Sequence, residues 1–506
     1  QEIGSISFDR CLGWSNALNY TKKLGDLHDI NITAMSLLST YKQNYSIYTE
    51  KTINFGFRAN YMFNNRYIAE ADGVLAGSSR FAKEKRWGFS PAVGLGWILS
   101  EEDFLKNSNH IDFLKLKASY GNTKTDYDGM LKNNYHLYQN VYNVGGNFNY
   151  GDGLGQNGYL VVQIGNPAIS WVQRNELNVG VEASLFKKVL FVEVNYFNST
   201  RFDEVQKLTN TYPQFMGGSD FIAYENYAKR VQQGFEADIK FSKQFENFRI
   251  GVDFNVINLV PTRLLIDELD YGPEHEYRQR KGKANDVIFG LIANGLYTQE
   301  EIDKINDPLD QTVPKPTFGE VKAGDIKYVD QDNNKIVDEN DIRPIGNTQP
   351  RFNYGLRLML DYKNFSLFVF GMAETGYHRI MNNDYNWVYG EMKYPTYLVN
   401  RWAYDPSLNV DTRATATYPR LTTKNNTNNF RSSTFWLTER DYFSIPAIQL
   451  SYAVPQKLLK EVFLKQFSVY ARIDNLLTLS KDKYATLNVG SSPQLRMYSI
   501  GIKAGF

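Results

Sequence analysis

The residues best suited to chemistry lie in one acidic stretch, Asp330-Gln331-Asp332-Asn333-Asn334-Lys335-Ile336-Val337-Asp338-Glu339-Asn340-Asp341. Asp330, Asp332, Asn334, Asp338 and Asp341 fall at positions 1, 3, 5, 9 and 12, with an apolar residue at 8, as in an EF-hand-like Ca²⁺ loop. Hard Ca²⁺ takes about six to eight oxygens, and these five side chains supply much of that shell. Position 6, where a sharp turn wants Gly, is Lys335, and position 12 is Asp instead of the longer bidentate Glu. The same residues also suit an Asx-rich turn without metal. The expected role is structural in either case. No cofactor is required by the sequence, and a structural Ca²⁺ at this loop is the optional metal it offers.

A second chemical signature is aromatic. Tyr385, Trp387, Tyr389, Tyr394 and Trp402 crowd one polar stretch, and Tyr138, Tyr142, Tyr150 and Tyr159 another. Ring faces stack on sugars, and Tyr hydroxyls bond hydroxyl-rich or peptide ligands. Trp387 and Tyr389, then Tyr385 and Trp402, are the candidate substrate contacts; the alternative is that these rings pack loops together or against a partner protein. Catalysis finds little support. His28, His110, His136, His275 and His378 share no metal or triad spacing. Gly151-Asp152-Gly153-Leu154-Gly155 lacks the strand-to-helix context of a phosphate loop. Glu182, Glu193, Glu236 and Asp238 alternate with basic residues and read as wall ion pairs.

What positions these residues is visible in the composition. Lys plus Arg (56) nearly cancels Asp plus Glu (55), which argues against a nucleic-acid partner. Tyr (35) and Phe (32) are abundant, yet no run of about 18 apolar residues exists, so a membrane span must be built from strands. The single cysteine, Cys11, excludes an internal disulfide framework.

Strand alternation recurs throughout. Ile53, Phe55, Phe57, Ala59, Tyr61 and Phe63 share one face against Asn54, Gly56, Arg58 and Asn60. Phe352, Tyr354, Leu356, Leu358, Leu360 and Tyr362 oppose Arg351, Asn353, Arg357 and Asp361. A lipid-facing wall over a wet lumen produces this pattern, with aromatics at the strand ends. Strands are expected at about 8–24, 28–41, 51–63, 66–77, 86–99, 111–123, 171–186, 188–203, 222–242, 245–259, 350–362, 364–376, 434–453, 465–480 and 494–506. Short turns (Asn64-Asn65, Lys187-Lys188, Lys243 to Asn247, Lys363-Asn364) alternate with long connections at about 124–170, 204–221, 260–349 and 377–433. That asymmetry fits an all-β transmembrane antiparallel barrel with external loops, and a soluble multi-domain β protein has no reason for it.

An odd strand count carries its own expectation. With Phe506 in the periplasm, Gln1 starts outside the cell, whereas single-chain bacterial barrels have even counts. The chain is thus expected to be part of a larger barrel, completed upstream or by a second chain.

Several stretches then resemble one family, the SusC/RagA group of TonB-dependent outer-membrane transporters. Arg86-Trp87-Gly88-Phe89-Ser90-Pro91-Ala92-Val93-Gly94-Leu95-Gly96-Trp97 is similar to that family's "RWGFFPSVSLGW", and Leu114-Lys115-Leu116-Lys117-Ala118-Ser119-Tyr120-Gly121 to its "LKLRASYG". Gly324-Asp325-Ile326-Lys327-Tyr328-Val329-Asp330, Ile345-Gly346 with Pro350 and Tyr354-Gly355, Ser432-Ser433-Thr434-Phe435-Trp436-Leu437 and Asp474-Asn475-Leu476 follow in family order. Tyr442-Phe443-Ser444-Ile445-Pro446-Ala447 departs from the usual "YLRLKN". The resemblance implies the C-terminal portion of a barrel of about 22 strands, with the plug domain absent from this chain. It implies active import of an oligosaccharide or peptide. Its partners would be a SusD-like surface lipoprotein, TonB-ExbB-ExbD through the missing N-terminal region, the outer-membrane assembly machinery and a dimer of transporter-lid pairs. Gly501, Ala504 and Phe506 match the spacing of the membrane-assembly signal. The alternative is a passive porin or surface-binding adhesin barrel without energy coupling.

Overall fold

The computed structural model describes residues 9–43, 49–126, 131, 134–151, 154–213, 215, 218–310, 312–459, 463–482 and 494–506. Fifteen strands form one sheet in sequence order, each antiparallel to its neighbours. They are β1 (Asp9–Leu24), β2 (His28–Gln43), β3 (Glu50–Phe63), β4 (Tyr67–Ser78), β5 (Trp87–Ile98), β6 (Ile111–Thr125), β7 (Val172–Leu185), β8 (Leu190–Lys207), β9 (Tyr224–Gln244), β10 (Phe248–Leu265), β11 (Phe352–Tyr362), β12 (Phe365–Thr375), β13 (Tyr442–Ala453), β14 (Gln466–Ser480) and β15 (Met497–Gly505). Among the described residues β1 pairs only with β2, and β15 only with β14.

Register keeps the two faces chemically distinct. On the outer face Leu18, Leu95, Ile500 and Ile502 are 76, 67, 85 and 68% exposed. Water would not tolerate so continuous an apolar wall, so the surface is built for hydrocarbon. The inner face is ion-paired. Lys117 bonds Glu193, Asn195 bridges Glu193 and Glu236 at 3.0 and 3.2 Å, and Lys240 pairs with Asp238 at 2.7 Å. Arg357 meets Asp253 at 3.2 Å across the β10–β11 pair. Of the wall carboxylates read from the sequence, Glu193 and Asp238 are paired with lysines, and Glu236 is held by the Asn195 amide.

At one end the turns are tight. Asn64, Asn65, Lys187, Lys188 and Lys363 adopt positive φ, which lets the chain reverse within two or three residues. Tyr67 and Trp97 sit at this rim, both donating to Glu102 (2.7 and 2.9 Å). Residues 99–110 and 454–465 make longer connections at the same end.

The packed core lies outside the sheet, in the long connections. One cluster gathers Leu291, Phe318, Ile326, Tyr328, Val337, Val388, Leu398, Tyr418 and Trp436. A second, around Phe81 and Trp171, is tied to the wall by Arg80, which pairs with Glu50 at 2.7 Å and lies 4.5 Å from the Tyr135 ring.

Three expectations need correction. The thirteenth strand begins at Tyr442 instead of 434, because residues 434–439 are taken up by the loop core. Thr434 exchanges backbone and side-chain bonds with Leu291 and Ala293, Trp436 is buried, and Leu437–Glu439 pairs with His378–Ile380. The 124–170 connection is not plain loop, since Val141–Tyr150 pairs with Leu154–Gln163 as a hairpin. Its tip, at Gly151-Asp152-Gly153, lies partly outside the described residues. Finally, β8 and β10 run on to Lys207 and Leu265, past the expected ends at 203 and 259. The departure at Tyr442 to Ala447 also has a structural correlate. Both ladders of β13 slip register around Ile445 and Ala447, where Pro446 has no N–H to give.

Leu358 projects from the outer face near the middle of β11, and Ser366 of β12 from the inner face. Leu358→Arg should lower unfolding stability in lipid by about 2–4 kcal/mol. Ser366→Arg, beside Asp361, should change it by under about 1 kcal/mol. Equal effects in urea titrations of liposome-inserted protein would reverse the assignment of faces.

Candidate functional site at the mouth

Residues 266–351 and 376–441 interlock above the long-loop end of the sheet, and one buried carboxylate joins them. Asp325 is fully buried. It meets Arg420 at 2.8 and 3.1 Å and accepts from the side-chain amides of Asn426 (3.0 Å) and Asn429 (2.9 Å) and from the Lys322 N–H (2.8 Å). Around it, Asn429 accepts from the Ile326 N–H, Asn428 donates to the Ile326 carbonyl, and Tyr328 donates to the Asn428 carbonyl. Trp436 donates its Nε1–H to the Asn429 carbonyl at 2.6 Å. A buried charge is tolerated only when its lone pairs are so occupied. This hub escaped the sequence reading, although Gly324-Asp325 and the run Asn425-Asn426-Thr427-Asn428-Asn429 carried the signal.

The framework encloses a cavity of about 650 Å³. Phe289, Trp387, Tyr389 and Phe430 supply its aromatic lining, and Asn382, Asp384, Asn425, Thr427, Arg431 and Ser432 its polar lining. Trp387 stacks on Phe430 (5.6 Å between centroids, 21°), and Tyr389 leans on the same ring at 5.9 Å. The Trp387 Nε1–H is buried and has no hydrogen-bond partner among the described residues. An Asx turn at Asn383, whose Oδ1 accepts from the Tyr385 and Asn386 N–H groups, aims Trp387 into this space.

The four aromatic candidates do not converge. Trp387 and Tyr389 share the cavity. Trp402 lines a neighbouring space of about 750 Å³ with Tyr297, Thr298, Tyr404 and Arg413, its ring lying across Gly324. A Cβ at Gly324 would come within 2.4 Å of that indole, and φ there is +86°. Tyr385 packs on Tyr397, whose hydroxyl donates to the Tyr385 carbonyl, and it lines neither space. Burial pushes the Tyr297 hydroxyl well above its usual range, so it stays neutral.

The Asp-rich loop is only partly assembled as expected. Asp330, Asp332 and Asp341 bring carboxylate oxygens within 4.8 Å of one another. Asn334 and Asp338 are drawn off into local turns, accepting from the Ile336 and Asn340 N–H groups at 2.7 and 2.6 Å. Asp341 is buried and accepts from the Gln331 (2.6 Å) and Asp338 (2.8 Å) N–H groups. Burial, then the facing Asp332 and Asp330, raise its pKa against those donors. Asp330 Oδ1 is buried without a hydrogen-bond partner among the described residues, which fits a cation seat. At the last strand, Gly501 lies under the Tyr470 ring on the inner face, while Ala504 and Phe506 are exposed and Phe506 rests 6.0 Å from Phe463.

No protein-family model matches the chain. It is 25% identical over 91% of its length to TonB-dependent receptor P39 of Formosa agariphila, covering 48% of that protein. A shorter stretch, 24% of the chain, is 32% identical to TonB-dependent receptor SusC of Bacteroides thetaiotaomicron, covering 11% of it. The structure of the RagAB peptide transporter superimposes with a TM-score of 0.76 at 20% identity, over 99% of this chain and 56% of that one. The chain is SusC/RagA-like. It spans about half the length of the first two curated relatives, 48% of P39 and 46% of TonB-dependent receptor P3 from the same organism. The SusC/RagA-like motif Gly324-Asp325 is the segment that seats Trp402 and forms the hub.

Asp325→Asn should weaken the Arg420 pair and leave a donor facing donors, lowering the stability of the mouth by about 3–5 kcal/mol. Limited proteolysis should then cut within 266–351 or 376–441 while the strands stay resistant. Unchanged cleavage would remove the hub from this role.

Proposed function

We propose that the chain forms the wall and mouth of a TonB-dependent importer in the outer membrane of a Gram-negative bacterium. It takes up a large nutrient, an oligosaccharide or peptide, together with a SusD-like surface lipoprotein that covers the mouth. The observation that carries this reading is a sheet apolar on one face and ion-paired on the other, whose long connections fold at one end around an aromatic and amide-lined cavity. In this reading the mouth faces outward and the tight turns face the periplasm. Further strands, a plug and the TonB-ExbB-ExbD contact lie outside these 506 residues. The relatives' names, TonB-dependent receptor and SusC, support import, and RagAB is a peptide transporter.

Trp387 and Tyr389 are the proposed ligand contacts. The unbonded Trp387 Nε1–H offers a donor to a carbonyl or hydroxyl, beside rings that cover apolar ligand faces. Trp387→Ala with Tyr389→Ala should cut uptake of the nutrient that co-purifies with the native complex by about tenfold, from the loss of stacking and one bond. Insertion, followed by heat-modifiable migration, should be unchanged. Full uptake by the double variant rejects these contacts, and native purification without a lipoprotein rejects the lid.

Asp330, Asp332 and Asp341 are the proposed seat of a structural Ca²⁺ that holds the mouth and takes no part in transport. Saturating Ca²⁺ at about 100 times its Kd should stabilise the mouth by about 2.7 kcal/mol, read as a rise in Tm over chelator. Asp330→Asn with Asp332→Asn should abolish the rise. A Tm that ignores both calcium and chelator leaves an Asx turn alone.

A further inference from the structure

The tight-turn rim is electrically divided. Around β1 to β6 it carries Asp26, Glu101, Glu102 and Asp103, with Lys22 and Lys106 exposed among them, and two further cations there are engaged by carboxylates. Arg66 bonds Glu102 at 2.9 Å and Asp103 at 3.0 Å, and Lys23 lies 3.5 Å from Asp29. From β7 to β15 the turns are neighbours along one continuous arc of the sheet. There residues 186–189, 243–248, 362–365 and 453–465 present Lys187, Lys188, Lys243, Lys363, Lys457 and Lys465, all exposed, against Glu246 among their described residues and Asp112 at the start of β6, whose carboxylate accepts from the Lys188 N–H at 2.8 Å. In the adjoining strand ends Arg249 and Asp361 stand opposite one another in register and cancel.

Each of these turns also exposes an aromatic ring. Phe186, Phe245 and Phe365 are about half exposed, and Phe463 and Phe506 are 87 and 71% exposed. The cations sit over rings, with Lys243 5.3 Å from the Phe245 centroid and Lys363 5.4 Å from that of Tyr362. Rings at the level where hydrocarbon gives way to water, with ammonium groups just beyond them, match a phospholipid: acyl chain against the ring, phosphate against the lysine. Resting on the outer-membrane reading above, we propose that this arc docks anionic glycerophospholipids of the periplasmic leaflet. The acidic half of the rim does not. The barrel thereby gathers a one-sided shell of anionic lipid beneath β7 to β15.

The full protein, reconstituted into nanodiscs of phosphatidylethanolamine with equal parts phosphatidylglycerol and phosphatidylcholine, is partly delipidated, and its retained lipids are counted by mass spectrometry. The wild type should keep phosphatidylglycerol over phosphatidylcholine by about threefold or more, falling with added salt. Lys187→Gln, Lys188→Gln, Lys243→Gln and Lys363→Gln together should bring the ratio to parity, and the matching Arg set should preserve it. Gln is no more strained than Lys at the left-handed positions 187, 188 and 363, so folding is kept. Wild-type parity, or a preference that survives the Gln set, overturns the proposal. Failure to enter the bilayer at all overturns the membrane reading beneath it, a result distinct from insertion without lipid preference.

Discussion

Within hydrocarbon an unpaired N–H or C=O costs several kcal/mol, and strands meet that constraint only by pairing with one another. The uninterrupted antiparallel order of β1 to β15 is the response to it, since each strand finds its partner in the next. The constraint also explains where irregularity is allowed. Pro446, which cannot donate, sits at a register slip in β13, Asp203 at positive φ sits beside a slip in β8, and Asn475 in β14 is also at positive φ, while most other positive-φ residues lie in turns and connections.

A sheet with one face in lipid and one facing a lumen has no side on which to build an ordinary core. The packed clusters therefore move into the long connections, where Leu291, Ile326, Val337 and Trp436 bury one another above the sheet. Hydrophobic packing alone would not specify how two connections of such length dock. The Asp325 hub does so, because a carboxylate with no exposure is stable only when Arg420, Asn426 and Asn429 all reach it. The mouth that results is rigid enough to hold Trp387 and Tyr389 on one cavity and Trp402 on another.

The two chemical signatures of the chain fared differently. Carboxylate spacing pointed to a cation loop, and the fold unites Asp330, Asp332 and Asp341 while spending Asn334 and Asp338 on backbone turns. Without the Gly that an EF-hand has at position 6, the chain turns through Asn333 and Lys335 at positive φ, and the ligand set contracts. Aromatic clustering pointed to a single binding surface. Much of it became packing: Tyr385 on Tyr397, Trp387 on Phe430, Trp402 on Gly324.

By itself the sequence determined the strands, their number, their faces and the positions of most tight turns. Period-two alternation is a local property, and Asn64-Asn65 or Lys187-Lys188 between two such runs reverses the chain unaided. What only the tertiary structure decided is the mouth. Residues 434–439 read as strand but are drawn into the loop core, and Asp325 lies about a hundred residues from the asparagines that hold it. Those outcomes depend on contacts between connections far apart in the chain, where no local period exists to be read and a buried charge selects its partners in space.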